Sequence, residues 1–231
     1  MALELTAHAR RAFARMAADF RRVLDRRFVA LLAYGPASGA CFATAIGAPD
    51  LDALAVLTEQ WHREGLETPL IMTPDEFRRS LDTFPIEYQA MIDRHVVIDG
   101  TDPFIGALVA PDDLRRGCEM QARSHLIHLR QGWIEAAGHG DELAELIARS
   151  ADPLRLLLGN LARLMDETAT DVPAIAAFAD RRIGMPADLV AAVLNADRSA
   201  EAARAAVPRL AEYVSAAERL WAFVDGWRGR S

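Results

Sequence analysis

Asp50 and Asp52 form a carboxylate pair separated by one residue, and two acids at this spacing on a strand can share divalent metal ions. Alternate side chains of a strand point to the same side, so this chemistry needs Asp50 to Leu57 to be extended. The local sequence favours another interpretation. Pro49-Asp50 is a helix-start signal and the leucines that follow recur at three residues, so we expect these acids at a helix N-terminus.

A second candidate feature is the segment from Asp112 to about Ala136, which has a helical period. It carries three arginines at seven-residue intervals, Arg116, Arg123 and Arg130. This spacing places them on one side of the helix as a cationic stripe. We expect the stripe to be solvated or ion-paired, and it is also the best candidate in the chain for contact with an anion.

Two histidines lie on the same predicted helix. His125 falls within its apolar face, where we expect a hydrogen-bonded core histidine, and His128 follows three residues later. No further acid or thiol is spaced to complete a metal site with them. Arg123 and His128 also match the Arg-x4-His pattern of HEPN-type ribonucleases. On a continuous helix these two side chains would point about 140° apart, so a ribonuclease that uses them is kept only as a third alternative.

The composition excludes several mechanisms. All 26 cationic side chains are arginines, so no lysine amine can serve Schiff-base chemistry, pyridoxal phosphate attachment or a Walker-type phosphate loop. The formal net charge of −7 argues against a whole-molecule nucleic-acid binder. Two cysteines, Cys41 and Cys118, cannot form a disulfide framework, so we expect a reduced cytoplasmic protein.

The elements that position these residues change in type along the 231-residue chain. In the first half, short apolar runs and helical periods predict strands over 28–34, 40–46, 69–72 and 96–98, and helices over 6–27, 50–65 and 73–80. The charge-free stretch over 28–49 is interrupted by Gly and Pro and is rich in alanine. It therefore predicts two buried strands joined by a turn and not a membrane span.

After Pro111 the sequence has a helical period as far as Trp227. Proline and glycine signals predict breaks at 138–140, 152–153, 171–173, 184–186 and around Pro208. We therefore predict an α+β chain. A small mixed-sheet domain over residues 1–108 is followed by an antiparallel α-helical bundle over 109–231.

This order of elements resembles the nucleotidyltransferase fold of the DNA polymerase β type. The architecture is similar to that of the aminoglycoside (kanamycin) nucleotidyltransferases, which also have a helical C-terminal domain. The resemblance is carried by Tyr34-Gly35, Thr68-Pro-Leu-Ile-Met-Thr-Pro-Asp-Glu-Phe77, Thr83-Phe-Pro-Ile-Glu-Tyr88 and Arg94-His-Val-Val-Ile-Asp-Gly100.

The resemblance implies a site for two metal ions. In that family a Gly-Ser turn holds the nucleotide's phosphates, a carboxylate pair on the next strand binds two magnesium ions, and a third carboxylate completes the site. By resemblance, Gly35 belongs to the phosphate turn, Asp50 and Asp52 would be the pair, and Glu87 is a third carboxylate or a structural anchor between the two halves.

The sequence departs from the family pattern at the positions that hold phosphate and metal. Pro36 replaces the serine of the turn, and the predicted strand over 40–46 contains no carboxylate. We therefore predict a catalytically degenerate protein that needs no cofactor. It would bind a nucleotide, another anionic small molecule or a protein partner, and neither a membrane nor a nucleic acid. The alternative is an active magnesium-dependent nucleotidyltransferase that uses Asp50 and Asp52.

Overall fold

The computed structural model describes residues 3–227, and the chain divides into two compact units, Met1–Val109 and Ala110–Ser231. The fold is α+β and 67% helical, with one small mixed sheet in the described residues, so the predicted class and the excess of helix over strand are confirmed. Within residues 3–227, every helix is too short or too polar to cross a lipid bilayer.

The first unit contains a four-stranded sheet in the order β3-β2-β1-β4. β1 pairs antiparallel with β2 and β4, whereas β2 and β3 are parallel. All four predicted strands are present, with ends that differ by no more than three residues from the sequence prediction. The strands are β1 (Phe28–Ala33), β2 (Gly39–Ala43), β3 (Leu70–Met72) and β4 (Val96–Gly100).

Helices cover both faces of this sheet, which explains why β1 and β2 are continuous apolar runs without alternation. On one face the stacked rings of Phe20 and Trp61, 5.4 Å apart, pack in the same buried cluster as Leu31. On the other face the ring of Phe42 lies edge-on to Phe77 at 5.8 Å. The helices of this unit are α1 (Ala7–Leu24), α2 (Ala48–Ala55), α3 (Thr58–Arg63), α4 (Pro74–Arg79) and α5 (Pro85–Asp93).

Two helical predictions for this unit need correction. The single helix predicted over 50–65 is interrupted at Val56–Leu57, where the N–H of Leu57 bonds to the carbonyl of Leu54, and it forms the separate helices α2 and α3. α5 was not predicted from the sequence. Buried side chains surround much of this short helix, so it lacks the one-sided apolar pattern that reveals a helix in a sequence.

The second unit is helical throughout its described part, apart from its connections. Its helices are α6 (Pro111–Glu135), α7 (Gly140–Leu164), α8 (Val172–Ile183), α9 (Ala187–Leu194), α10 (Ala200–Ala206) and α11 (Leu210–Gly226). The predicted break at 152–153 is wrong, because α7 continues through Pro153. Ala151 and Leu154 are both completely buried, so the packing face keeps its phase across the proline although Pro153 cannot donate a backbone hydrogen bond.

Candidate functional site

Asp50 lies in the first turn of α2, and its carboxylate is held by two groups from the same unit. Nη1 and Nη2 of Arg27 donate to the two carboxylate oxygens at 2.5 and 2.7 Å. The backbone N–H of Gly47 donates to Oδ2 at 2.9 Å and caps the helix. The hydrogen bonds from Arg27, followed by that from Gly47, lower the pKa of Asp50 to about 2. Asp50 is therefore a structural anion in this fold.

Asp52 lies on the same helix but points elsewhere. Two residues separated by one position on a helix project about 200° apart, so the carboxylates of Asp50 and Asp52 diverge. Asp52 is exposed, and it has no hydrogen bond or ion pair within residues 3–227. The expected helix start at Asp50 is confirmed, and the strand that the transferase alternative requires is a helix here.

The glycine turn after β1 is closed by its own backbone. The N–H groups of Tyr34 and Gly35 both donate to the carbonyl of Ser38, at 3.0 and 3.3 Å. The Ser38 hydroxyl donates to Oε2 of Glu67 at 2.7 Å, and the N–H of Glu67 donates to the carbonyl of Ala37 at 3.0 Å. A carboxylate thus sits on the turn that the resemblance assigns to phosphate, and two of the turn's donors are already used.

Glu87 is exposed in the first turn of α5, and it makes no hydrogen bond or ion pair with any residue in 3–227. The favourable position of an acid near a helix N-terminus accounts for its presence there. Across the same residues, no three His, Cys, Asp or Glu side chains gather closely enough to hold a metal ion. The structure therefore does not bring Glu87 into a metal-binding group with Asp50 or Asp52.

The three arginines of the α6 stripe are all ion-paired, and the side chain of each is more than half exposed. Arg116 pairs with Asp113, Arg123 approaches Asp225 at 3.9 Å and the ring of Trp221 at 5.4 Å, and Arg130 pairs with Glu218 at 2.6 Å. This is the solvated, ion-paired face that the sequence predicts. Arg123 has the longest ion pair of the three and is therefore the most available to another anion.

His125 is buried inside the helical unit, as predicted for a core histidine. Its Nε2 lies 2.6 Å from the hydroxyl of Tyr213, which lies 3.0 Å from Oγ of Ser150. The Ser150 hydroxyl donates to the carbonyl of Ile147 at 2.7 Å. Its oxygen can therefore accept from the Tyr213 hydroxyl, which in turn accepts from Nε2–H of His125, so each of these three hydrogen bonds has one donor and one acceptor. Burial, with a smaller effect from His128, lowers the pKa of His125 to about 4, and burial raises that of Tyr213.

Arg123 and His128 are not brought together by the fold. α6 is one unbroken helix from Pro111 to Glu135, so the divergence predicted from their spacing applies to the structure. Arg123 is directed toward Asp225 and Trp221 of α11, while His128 is exposed along the side of α6 that faces α7.

A His–Asp contact in the first unit was not predicted from the sequence. Nδ1 of His95 lies 3.1 Å from the carbonyl of Ile92, and Nε2 lies 3.2 Å from Oδ2 of Asp102. Asp102 also accepts the N–H of Phe104 at 2.9 Å, and the Phe104 ring packs edge-on against His95. Both ring nitrogens of His95 have hydrogen-bond partners, so this contact holds the loop after β4 in place. Its residues lie in or near the segment Arg94–Gly100 that carries the resemblance, but spacing alone does not reveal the contact.

A scan against protein-family models found no match to this chain. Searches of curated proteins and of solved structures likewise found none. The likeness to nucleotidyltransferases therefore stays a prediction carried by sequence motifs and the order of elements.

Proposed function

We propose that this chain is a nucleotidyltransferase-like protein that acts by binding a ligand or partner, without metal-dependent nucleotidyl transfer. The observation that carries the proposal is the engagement of Asp50. Both of its oxygens accept hydrogen bonds from Arg27, and one also accepts the N–H of Gly47. Under the transferase alternative Asp50 would bind metal. In this structure its carboxylate instead holds the start of α2 against Arg27, the residue directly before β1.

The charge requirement of the transfer reaction supports this proposal. Two divalent cations need two or three carboxylates that converge within a few ångströms. Asp50 could join such a group only by giving up Arg27, and Asp52 projects from another side of the same helix. A magnesium ion at this position would therefore compete with an arginine whose guanidinium is bonded to both carboxylate oxygens.

The glycine turn argues against a nucleotide at this position. The Glu67 carboxylate accepts a hydrogen bond from the Ser38 hydroxyl, and its negative charge would repel a phosphate at this turn. On α6, the exposed arginines can release the acids with which they pair in this chain and bind acids of a partner instead. Arg123 would lose least by this exchange, because its ion pair is the longest of the three. A protein partner or small anion therefore fits the exposed groups better than a nucleotide on the turn.

The test is a transfer assay on the full chain with its matched variants. The protein is incubated with ATP and magnesium and a panel of hydroxyl acceptors, and pyrophosphate release is measured in wild type, Asp50→Asn, Asp52→Asn and the exposed control Glu59→Gln. We expect no release above the protein-free blank in any sample. Release that persists in Glu59→Gln and is abolished in both aspartate variants would overturn the proposal and establish the transferase alternative.

A second arm addresses binding and the ribonuclease alternative. Since a ligand that binds only the folded state raises the melting temperature, we expect ATP with magnesium to give no larger shift than magnesium alone. The chain is also incubated with RNA in EDTA, where we expect no cleavage. Cleavage that is lost in His128→Ala would contradict the proposal in favour of ribonuclease activity.

A further inference from the structure

The helical unit contains an open groove of about 600 Å³ between α8 and α9. Its walls are apolar and built from small side chains. The apolar lining consists of Val172, Pro173, Ala176, Ala177, Ala187 and Ala191. Its polar lining residues are Asp188, Asn195 and Arg198. Volumes of this order are typical of sites for small molecules, which combine apolar walls with a few polar groups.

Arg198 differs from every other arginine described in the helical unit. Within residues 110–227, each of the others has a carboxylate or carbonyl partner, apart from Arg163, which has an interaction of its own. Arg198 alone among them has no hydrogen bond or ion pair with any residue in 3–227. The neighbouring acid is already used, since Asp197 pairs with Arg155 at 3.0 Å. A guanidinium without an ion-pair partner in the described residues therefore lies at a groove whose other walls are mostly apolar.

Among the polar groups that line the groove, Arg198 sets the preference for an anion. Asp188 makes no ion pair with Arg198, because its carboxylate is paired with Nη1 of Arg209 at 3.0 Å, an arginine that Glu212 also binds. Asn195 carries a buried Oδ1 that has no hydrogen-bond donor within residues 3–227. A carboxylate has no donor to offer this oxygen, so the preference for an anion rests on Arg198.

We propose that this groove binds a small monoanion with an apolar body, such as an aliphatic or aromatic carboxylate. The carboxylate pairs with the planar guanidinium of Arg198, which can bind both of its oxygens. The hydrocarbon part lies against Ala176, Ala187 and Ala191, whose small side chains leave the space that it fills. Each methylene that leaves water in the groove should tighten binding about threefold to fourfold.

The test uses octanoate as the probe, with octanamide and octylamine as neutral and cationic compounds of the same chain length. Binding to the full chain is measured by calorimetry and by the shift in melting temperature. We expect octanoate to bind most tightly, hexanoate to bind roughly tenfold more weakly, and octylamine not to bind. Equal affinity for octanoate and octanamide, or no binding of any carboxylate, would overturn the proposal.

Two variants locate the site. Arg198→Gln should weaken octanoate binding at least about tenfold, because it removes a charge-assisted pair. The matched control Arg204→Gln removes an exposed arginine that already pairs with Asp141, and it should leave the affinity unchanged. Ala191→Phe should fill the groove and abolish binding. If that variant fails to fold, the two arginine variants still decide, and equal losses in both would contradict the site.

This proposal and the proposed function can fail separately. The groove uses none of Asp50, Asp52, Glu67 or the α6 arginines, so absence of carboxylate binding says nothing about nucleotidyl transfer. Conversely, a positive transfer assay would leave the octanoate result intact.

Discussion

The Asp50 carboxylate is a residue-scale feature whose effect depends on pH. Its pKa is lowered to about 2 from an ordinary value of about 3.9, first by the hydrogen bonds from Arg27. The folded state therefore favours the ionised form, and the stabilisation is present above about pH 4 and is lost as the pH falls toward 2. We expect Asp50→Asn to lower the melting temperature at pH 7. The difference in melting temperature between this variant and wild type should disappear as the pH falls from 4 to 2.

Asp52→Asn provides the control for this prediction on the same helix. Asp52 is exposed and without a partner in the described residues, so its variant should melt with wild type at every pH in the series. Thermal melting monitored by circular dichroism measures both variants. A gap for Asp50→Asn that stays constant down to pH 2 would contradict the ion-pair explanation.

The hydroxyl of Tyr213 links two buried polar side chains, so its removal leaves both without this partner. In Tyr213→Phe, Nε2 of His125 loses its hydrogen bond at 2.6 Å, and Oγ of Ser150 loses its contact at 3.0 Å. We expect a loss of about 1–3 kcal/mol in the free energy of unfolding, because a buried polar group is left unsatisfied. Urea denaturation measures this loss.

Tyr34→Phe is the matched removal of a hydroxyl. Tyr34 is only partly buried, and its hydroxyl has no hydrogen bond within residues 3–227, so we expect a change within about 0.5 kcal/mol. Equal losses for the two tyrosine variants would show that the buried network contributes nothing specific.

At the scale of elements, the pairing of β4 with β1 depends on one glycine. Gly100 has a φ of +90°, and a Cβ there would lie 2.0 Å from the carbonyl oxygen of Val29 and 2.7 Å from Cα of Ala30. Neither backbone atom can move without disturbing the strand. We therefore expect Gly100→Ala to cost roughly 3 kcal/mol or more in the free energy of unfolding, measured in urea.

Gly65→Ala separates the two causes of that loss. Gly65 also has a positive φ, +79°, but a Cβ there meets nothing within 4 Å. It should therefore cost only the backbone strain of about 1–2 kcal/mol. If Gly100→Ala is no worse than Gly65→Ala, then the close approach to Val29 is not what requires glycine at position 100.

Pro153 is a second feature at this scale, because it lies inside α7 without a backbone N–H to donate. In Pro153→Ala, the helix regains a hydrogen bond to the preceding turn and keeps its buried face. The unfolded chain also gains freedom, which offsets part of the effect. We expect a net stabilisation of about 1 kcal/mol in urea denaturation. Destabilisation would mean that the proline sets a bend that the packing of α7 requires.

At the scale of the whole molecule, each of the two compact units has its own buried side chains. Large residues at the centre of the second unit, including Leu157, Leu161 and Tyr213, are at most 1% exposed. A unit of this size with its own core can fold alone. We therefore expect a fragment of residues 110–231 to show a helical circular dichroism spectrum and one cooperative thermal transition. A broad, non-cooperative transition would contradict this.

The sequence by itself determined the features that depend on local periodicity and turn chemistry. Apolar runs bounded by turn residues predicted all four strands of the sheet. In β1 and β2 the runs are continuous, because strands covered on both faces need no polar alternation. Pro49-Asp50 predicted the start of α2, because a proline early in a helix and an acid in its first turn are both favourable there. The apolar face of α6 likewise predicted that His125 would be buried.

Only the tertiary structure decided which side chains meet. Arg27 reaches Asp50 across 23 positions, and His125 reaches Tyr213 across 88, and no spacing rule carries such pairings. The same holds for Glu67, which meets Ser38 at the glycine turn, and for Arg198, whose neighbouring acid Asp197 pairs with Arg155. Continuity of α7 through Pro153 was also decided by packing, because burial on both sides of the proline outweighs one missing hydrogen bond.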